Sequence, residues 1–432
     1  MKIEKLKKNH KKEVIGGLIV ISVIGILAFN LTKARYQRVE DIRIVEGNIN
    51  YKPYDFKMMA MYKSDNGTSY TEITGRMPSS GYVINESKSY CTLNNVDKDT
   101  NVSLYTKNGE HIIKNLSKNE KCYLYFDNVT AVASVSDLAN KVSKTTKTDI
   151  VNFTKIATSN EGIYQANDSM YGGVSYYWRG AVTNNYVKFG GYCWRIIRIN
   201  GDGTMRLIYD GTTCHANGTS TTDSIVLNGT KYNSNYKNSE YVGWKYTSGA
   251  QRPSSITSGI DAPIKTALEN WYNTNIGNIT TYSSKVADGK YCNDRSVEHW
   301  TTWDSLPADT FYYSGYNRIV LGVPKLSCSS GDTYTMKVGL ITSDEVNLAG
   351  GKGENNTSYY LYNGQKYWTM SPNSWFKSGS SSWAFMSLVD TSGRIAGTGT
   401  NSTEVGIRPV INLKSNAIIS RGAGTRTNPY VV

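Results

Sequence analysis

The chain has 432 residues, 39% hydrophobic and 19% charged, with 33 Tyr, 9 Trp and 8 Phe. That content suffices for two or three packed domains and excludes a chain that is disordered throughout; nine prolines exclude a collagen-like or polyproline rod. The net charge is +13, but six lysines against two glutamates fall in the first thirteen residues. The rest is dispersed without a basic stripe, so nucleic acid is not an expected partner.

Residues 1–13 read as a basic cytoplasmic stub. Val14 to Thr32 is uncharged and mostly apolar, 19 residues long. As a helix it spans about 28 Å, close to the ~30 Å hydrocarbon core of a bilayer. Lys33, Arg35 and Arg38 follow it. The denser positive charge lies upstream, which predicts one transmembrane helix over 14–32, a signal anchor with everything after residue 33 outside the cell membrane. Two other readings stay open. A cleaved signal peptide has its best small-x-small site at Thr32-Lys33-Ala34, which carries a lysine. A pilin-like N-terminus shares Ile24-Gly25-Ile26-Leu27-Ala28-Phe29 but lacks the glutamate inside the apolar run.

Six cysteines, Cys91, Cys122, Cys193, Cys214, Cys292 and Cys328, all lie beyond that segment, and no CxxC occurs. An even number without zinc-site spacing fits three disulfides in an oxidising compartment. Fifteen pairings are open to six cysteines. Proximity in sequence suggests Cys91–Cys122, Cys193–Cys214 and Cys292–Cys328; free buried thiols are the alternative.

Residues 33–47 read as a connector. Over 48–130 the turn signals Asn66-Gly67, Ser80-Gly81 and Asn108-Gly109 separate short strands, ending in the alternating run Lys121–Phe126. This predicts a small β-sandwich, stapled by a disulfide because its core is small. Residues 131–149 read as a linker helix, with Val132, Val135, Leu138, Ala139 and Val142 at helical spacing and Ser134 or Ser136 as N-cap. From 150 to 432 the chain reads as one larger domain. Tyr192–Ile199, the turn Asn200-Gly201-Asp202-Gly203 and Thr204–Tyr209 form a hairpin. Asp261-Ala262-Pro263 opens a helix with an N-cap and a first-turn proline. A shorter helix over Thr342–Ala349 stops at Gly350-Gly351, and strands follow at Lys366–Met370, Trp383–Val389 and Ile407–Leu413.

Catalytic patterns are missing from the sequence. His10, His111, His215 and His299 sit in no HExxH arrangement, and no nucleophile elbow or phosphate loop occurs. Asn200-Gly201-Asp202-Gly203, Asp97-Lys98-Asp99 and Asn293-Asp294 are fragments of calcium-type patterns, so no cofactor is expected, with calcium as the one candidate. A binding pattern is stronger. Tyr367–Phe376 and Gly379–Phe385 alternate large aromatics with Asn, Ser and Gly, the composition of surfaces that present rigid rings beside adaptable hydrogen bonds. Trp368, Phe385 and Ile411 are assigned to the core. Asn373, Trp375, Phe376, Trp383 and Arg394 are the expected ligand-binding face, on a loop 371–382, with Arg408 as support behind it.

At Leu340–Val346, Tyr367-Trp368-Thr369-Met370-Ser371 and Gly406-Ile407-Arg408-Pro409-Val410 the chain resembles the C-type-lectin-like fold in its formylglycine-generating-enzyme (sulfatase-modifying-factor) variant. The Cys193–Asn200 hairpin and the Arg408–Leu413 ending are similar to those of uncharacterised exported surface proteins of gut Gram-positive bacteria. The resemblance covers roughly residues 160–432 and implies an α+β domain whose late loops face a ligand. No cysteine follows Cys328, so formylglycine chemistry is not carried over; Ser371-Pro372-Asn373 lacks the acid of the calcium-dependent sugar signature.

The expected protein is thus α+β: a C-type-lectin-like domain preceded by a small disulfide-stapled β-sandwich and one N-terminal transmembrane helix. The expected function is adhesin-like binding of an extracellular glycan or protein. A cell-wall-acting enzyme, for which Asp344, Glu345, Asp390 and Glu404 are the available acids, and a pilin-like subunit are the alternatives.

Overall fold

A computed structural model describes residues 56–64, 69–74, 77–78, 82–93, 97–107, 110–117, 120–128, 134–249, 259–298, 301–328, 330–420 and 422–432. The expected transmembrane helix 14–32, the stub before it and the connector 33–47 lie outside these residues. Among the described residues no helix is long and apolar enough to cross a membrane. The chain divides into two compact units, 1–131 and 132–432.

The first unit is built on the strand Glu120–Asn128, whose alternation turns Glu120, Cys122, Leu124 and Phe126 inward. Phe56–Ser64 pairs with it in parallel, and Tyr82–Ile84 and Tyr90–Leu93 pair with it antiparallel. The hairpin Ser103–Lys107/Glu110–Lys114 adds Leu104 and Ile113 to the same small core. Cys91 and Cys122 face each other across two strands, Cα atoms 4.0 Å apart, and are bonded. Glu120 is the one carboxylate on that inward row.

The second unit is sheet-rich with few helices. Its central sheet runs in the order Val338–Gly339, Val410–Leu413, Met205–Gly211, Tyr192–Ile199, Gly173–Gly180, Asn160–Asp168. The middle pair is the expected hairpin, closed at Asn200–Thr204, and its residues are almost all buried. The other two disulfides are Cys193–Cys214 and Cys292–Cys328, each local in sequence. A second sheet holds Thr310–Tyr312, Tyr367–Ser378, Ser381–Val389 and Ile395–Gly399 in that order.

Three expectations change. The helix Val135–Thr145 is capped by Ser134, as its sequence implies, but it is not a linker: Val135, Leu138 and Val142 enter the large core. The unit boundary therefore falls at 131/132 and not near 150. The helix Pro263–Tyr272 is preceded by Ala262, with no side-chain cap; Asp261 pairs instead with Lys245 and Lys265. Pro263 at the first helical turn needs no hydrogen-bond partner for its nitrogen, so the start holds without the cap. The segment 371–382 is not a loop but most of a long hairpin.

The short helix Ser343–Leu348 has the expected start, a reciprocal box in which Thr342 Oγ1 accepts from Glu345 N and Glu345 accepts from Thr342 N. The same Glu345 anchors the hairpin. Arg206 Nε lies 2.6 Å and Arg198 Nε 3.1 Å from its Oε1, and Arg198 also reaches Asp168 at 2.5 Å. All four side chains are buried. Burial alone would raise the Glu345 carboxyl, but the two guanidiniums and the Thr342 amide outweigh it and hold it below the usual range.

Glu345→Gln leaves two buried guanidiniums short of one charge and should cost ~3–5 kcal/mol, read by urea unfolding at neutral pH. Because the folded carboxyl is depressed, this stabilisation is present above the unfolded pKa of ~4.3 and is lost as pH falls through the folded value. The difference between parent and variant should therefore shrink at acid pH; a constant difference would place the effect elsewhere.

Candidate binding face

The strand Tyr367–Ser378 carries Pro372 in its middle, a residue that cannot donate to a ladder. The pairing breaks on both sides of it: Trp368 faces Leu388, Pro372 faces Met386 and Ser374 faces Phe385, so six steps on one strand match three on the other and Asn373 is one of the extra residues. Beyond this bulge the strand resumes and turns at Gly379, whose φ of 59° is left-handed. Alternation then sorts the expected site residues onto two faces.

Trp375 belongs to the inner face. It is buried, its ring stacks on Phe311 at 5.6 Å, and Nε1 donates to Lys237 O at 3.0 Å. Asn373 is also buried; Nδ2 donates to Ser387 Oγ, and its side chain fills the space that a Cβ on Gly397 would need. Phe376 and Trp383, directly opposite each other, lie on the outer face with ring centroids 5.8 Å apart and planes 21° from parallel. Phe376 is 40% exposed and Trp383 half-buried.

The outer face extends past them. Phe385, two residues from Trp383, is half-buried, not core as expected from its sequence context. Tyr312 pairs with Ser374 and so shares this side; its ring stacks on Tyr316, from the helix Ser314–Leu321, at 4.5 Å. Burial, and then Tyr312 itself, pushes the Tyr316 phenol up. By strand geometry Tyr312 and Phe376 stand roughly 8 Å apart. Among the described residues, none of these five rings is part of the hydrophobic core or packed against it. Tyr312 and Tyr316 escape a sequence reading because they lie some sixty residues before Phe376; the alternation of Phe311-Tyr312-Tyr313 is the only local signal.

Arg394 is not brought to this face. It sits beyond the far end of the strand Ser381–Val389, roughly 20 Å from Trp383 by strand rise. Its Nε donates to Asp390 at 2.6 Å within one turn. Burial would raise the Asp390 carboxyl, but hydrogen bonds from Ser392 and Arg394 hold it below the usual range. Arg408 is fully buried, bonded to Tyr209 O and Leu361 O and stacked over Tyr367, a support within the core.

The four acids considered for catalysis each meet a cation: Asp344 meets Arg318, Glu345 meets Arg198 and Arg206, Asp390 meets Arg394, and Glu404 meets Lys366. Asp202 accepts from Thr204 N and Oγ1, which makes its segment a turn. Among the described residues no group of three or more His, Cys, Asp and Glu side chains could hold a metal ion. Asp97 and His299 have side chains outside the described set. No family model, curated protein or solved structure matches this chain.

Trp375→Ala should destabilise the protein by ~3–5 kcal/mol, the cost of emptying a core indole site. Phe376→Ala, on the other face of the same strand, should change stability by less than ~1 kcal/mol. Denaturant unfolding of the two variants checks the assignment of faces; equal losses would contradict it.

Proposed function

We propose that this chain is a bacterial surface protein, held in the cell membrane by residues 14–32, whose second unit is a C-type-lectin-like domain binding an extracellular glycan or protein. The observation that carries the reading is the stacked outer-face pair of exposed Phe376 and half-buried Trp383, continued by Phe385, Tyr312 and Tyr316 on one sheet face. Aromatic side chains lose little conformational entropy on binding and offer a large contact area, and a folded domain has no packing reason to line them up in solvent. Three disulfides support an oxidising compartment. The binding face of this reading is Phe376, Trp383, Phe385, Tyr312 and Tyr316; Trp375 and Asn373 set its geometry from below.

The test is a glycan and protein array probed with the full chain in detergent. A specific signal should appear, and Trp383→Ala should weaken it by ~2 kcal/mol or more with an unchanged melting temperature. A signal indifferent to Trp383 and Phe376 would refute the face. Topology is checked separately. Protease applied to intact cells should release a fragment that begins beyond Tyr36, and full protection of that region would refute surface exposure.

A further inference from the structure

Six Asn-Gly steps occur in the chain, and those at Asn200, Asn217, Asn228 and Asn363 fall within the described residues. An asparagine before glycine is open to attack on its own side chain, because a following residue without Cβ leaves its amide nitrogen unshielded. The attack needs an unrestrained side chain and a short approach. Three of the four steps lack the first. Asn200 is buried, and its Nδ2 donates to Thr204 Oγ1 at 2.8 Å and to Asn412 Oδ1 at 2.9 Å. Asn217 donates from Nδ2 to Val182 O at 2.9 Å and accepts from Arg195 Nη1 at 3.0 Å. Asn363 is buried, donating to Ser224 Oγ at 2.9 Å and accepting from Gln365 N at 3.1 Å.

Asn228 differs. It is exposed, and among the described residues its side chain makes a single hydrogen bond, in which Gly229 N donates to Oδ1 at 2.9 Å. Cγ is one C=O bond away from that oxygen, so it lies no more than about 4 Å from the nitrogen that attacks it, close to a near-attack separation. Gly229 is exposed as well, and its φ of 72° keeps a side chain off this position. The step lies between two fixed points. On one side Leu227 O accepts from Ile407 N at 2.8 Å; on the other Thr230 O accepts, also at 2.8 Å, from Nε1 of the fully buried Trp368.

We propose that Asn228-Gly229 is a site of spontaneous deamidation, with water as the reactant, and that its isoaspartate product weakens the hold of this segment on Trp368. Hydroxide removes the Gly229 N–H proton and the nitrogen attacks Cγ. The N–Cγ bond forms, the Cγ–Nδ2 bond breaks, and ammonia leaves with a proton taken from water, which restores the hydroxide. Water then opens the cyclic imide: attack at the side-chain carbonyl gives aspartate, attack at the main-chain carbonyl gives isoaspartate, and nothing is oxidised or reduced. Isoaspartate adds one carbon to the backbone between Leu227 and Thr230, whose separation the core fixes through Ile407 and Trp368. The site does not rest on the binding role proposed above.

Incubation of the folded full chain in detergent at mildly alkaline pH, followed by peptide mass mapping, tests it. The peptide with Asn228 should exchange amide for acid, chiefly as isoaspartate, at least tenfold faster than those with Asn200, Asn217 and Asn363. Unfolding in urea should bring the four rates together. The aged parent should melt several degrees below equally aged Asn228→Gln, whose longer side chain closes a larger and slower ring. Fresh Asn228→Asp carries the new charge without the extra backbone carbon and should melt with the fresh parent. A rate at Asn228 no faster than at the other three, a ranking that persists in urea, equal melting of the aged parent and aged Asn228→Gln, or the same loss in fresh Asn228→Asp would each overturn the proposal.

Discussion

Glu345 joins two parts of the second unit that are nearly 140 residues apart in sequence. Through its carboxylate the short helix Ser343–Leu348 is fixed to Arg198 and Arg206 on the central hairpin, and through Arg198 to Asp168 on the next strand but one. Taking four charges out of water is costly, and an apolar core of the same shape could match the net stability. What the network provides is a single position for the helix: once the guanidiniums are buried, only a carboxylate in that place satisfies them. The strand that follows, Tyr367–Ser378, packs against this helix, with Met370 N donating to Ile341 O and Ser343 N to Ser371 Oγ. The late sheet thus takes its position from the network.

A second constraint lies in the middle of that sheet. Pro372 interrupts the ladder, Asn373 is among the extra residues, and the strand beyond it resumes in a new register. Shifting a strand by one residue exchanges its two faces. The bulge therefore decides that Trp375 points into the core and Phe376 out of it. Gly397 on the neighbouring edge strand belongs to the same arrangement, because a side chain there would collide with Asn373. Together these residues make an outer surface on which rings from three strands and one helix stand side by side.

The two units solve the problem of core size differently. The second has enough buried aromatic and aliphatic side chains to enclose charged networks within it. Among the described residues the core of the first holds eight buried side chains, two of them the bonded cysteines, so its cross-strand disulfide stands in for area that so small a unit cannot bury.

Much was legible in the chain itself wherever the determinants are local. The hairpin around Asn200-Gly201-Asp202-Gly203, the cap of Ser134, the Thr342–Glu345 box and the three sequence-local disulfides all follow from residues a few positions, or at most a few tens of positions, apart. Phe376 and Trp383 could be singled out because composition marks a ring-rich segment. The rest depended on tertiary contacts. Whether Trp375 faces inward is set by register shifts in a ladder, which have no signature in periodicity. Tyr312 and Tyr316 reach the face only because Thr310–Tyr312 pairs with a strand some sixty residues later. Arg394 carries the right chemistry at the wrong end of a strand. Sequence alone marked the central hairpin, the helices and the sequence-local staples, since turn and capping energies act between neighbours; the late hairpin it read as a loop. The tertiary structure decided which side chains share a surface, because register and burial are fixed by partners distant along the chain.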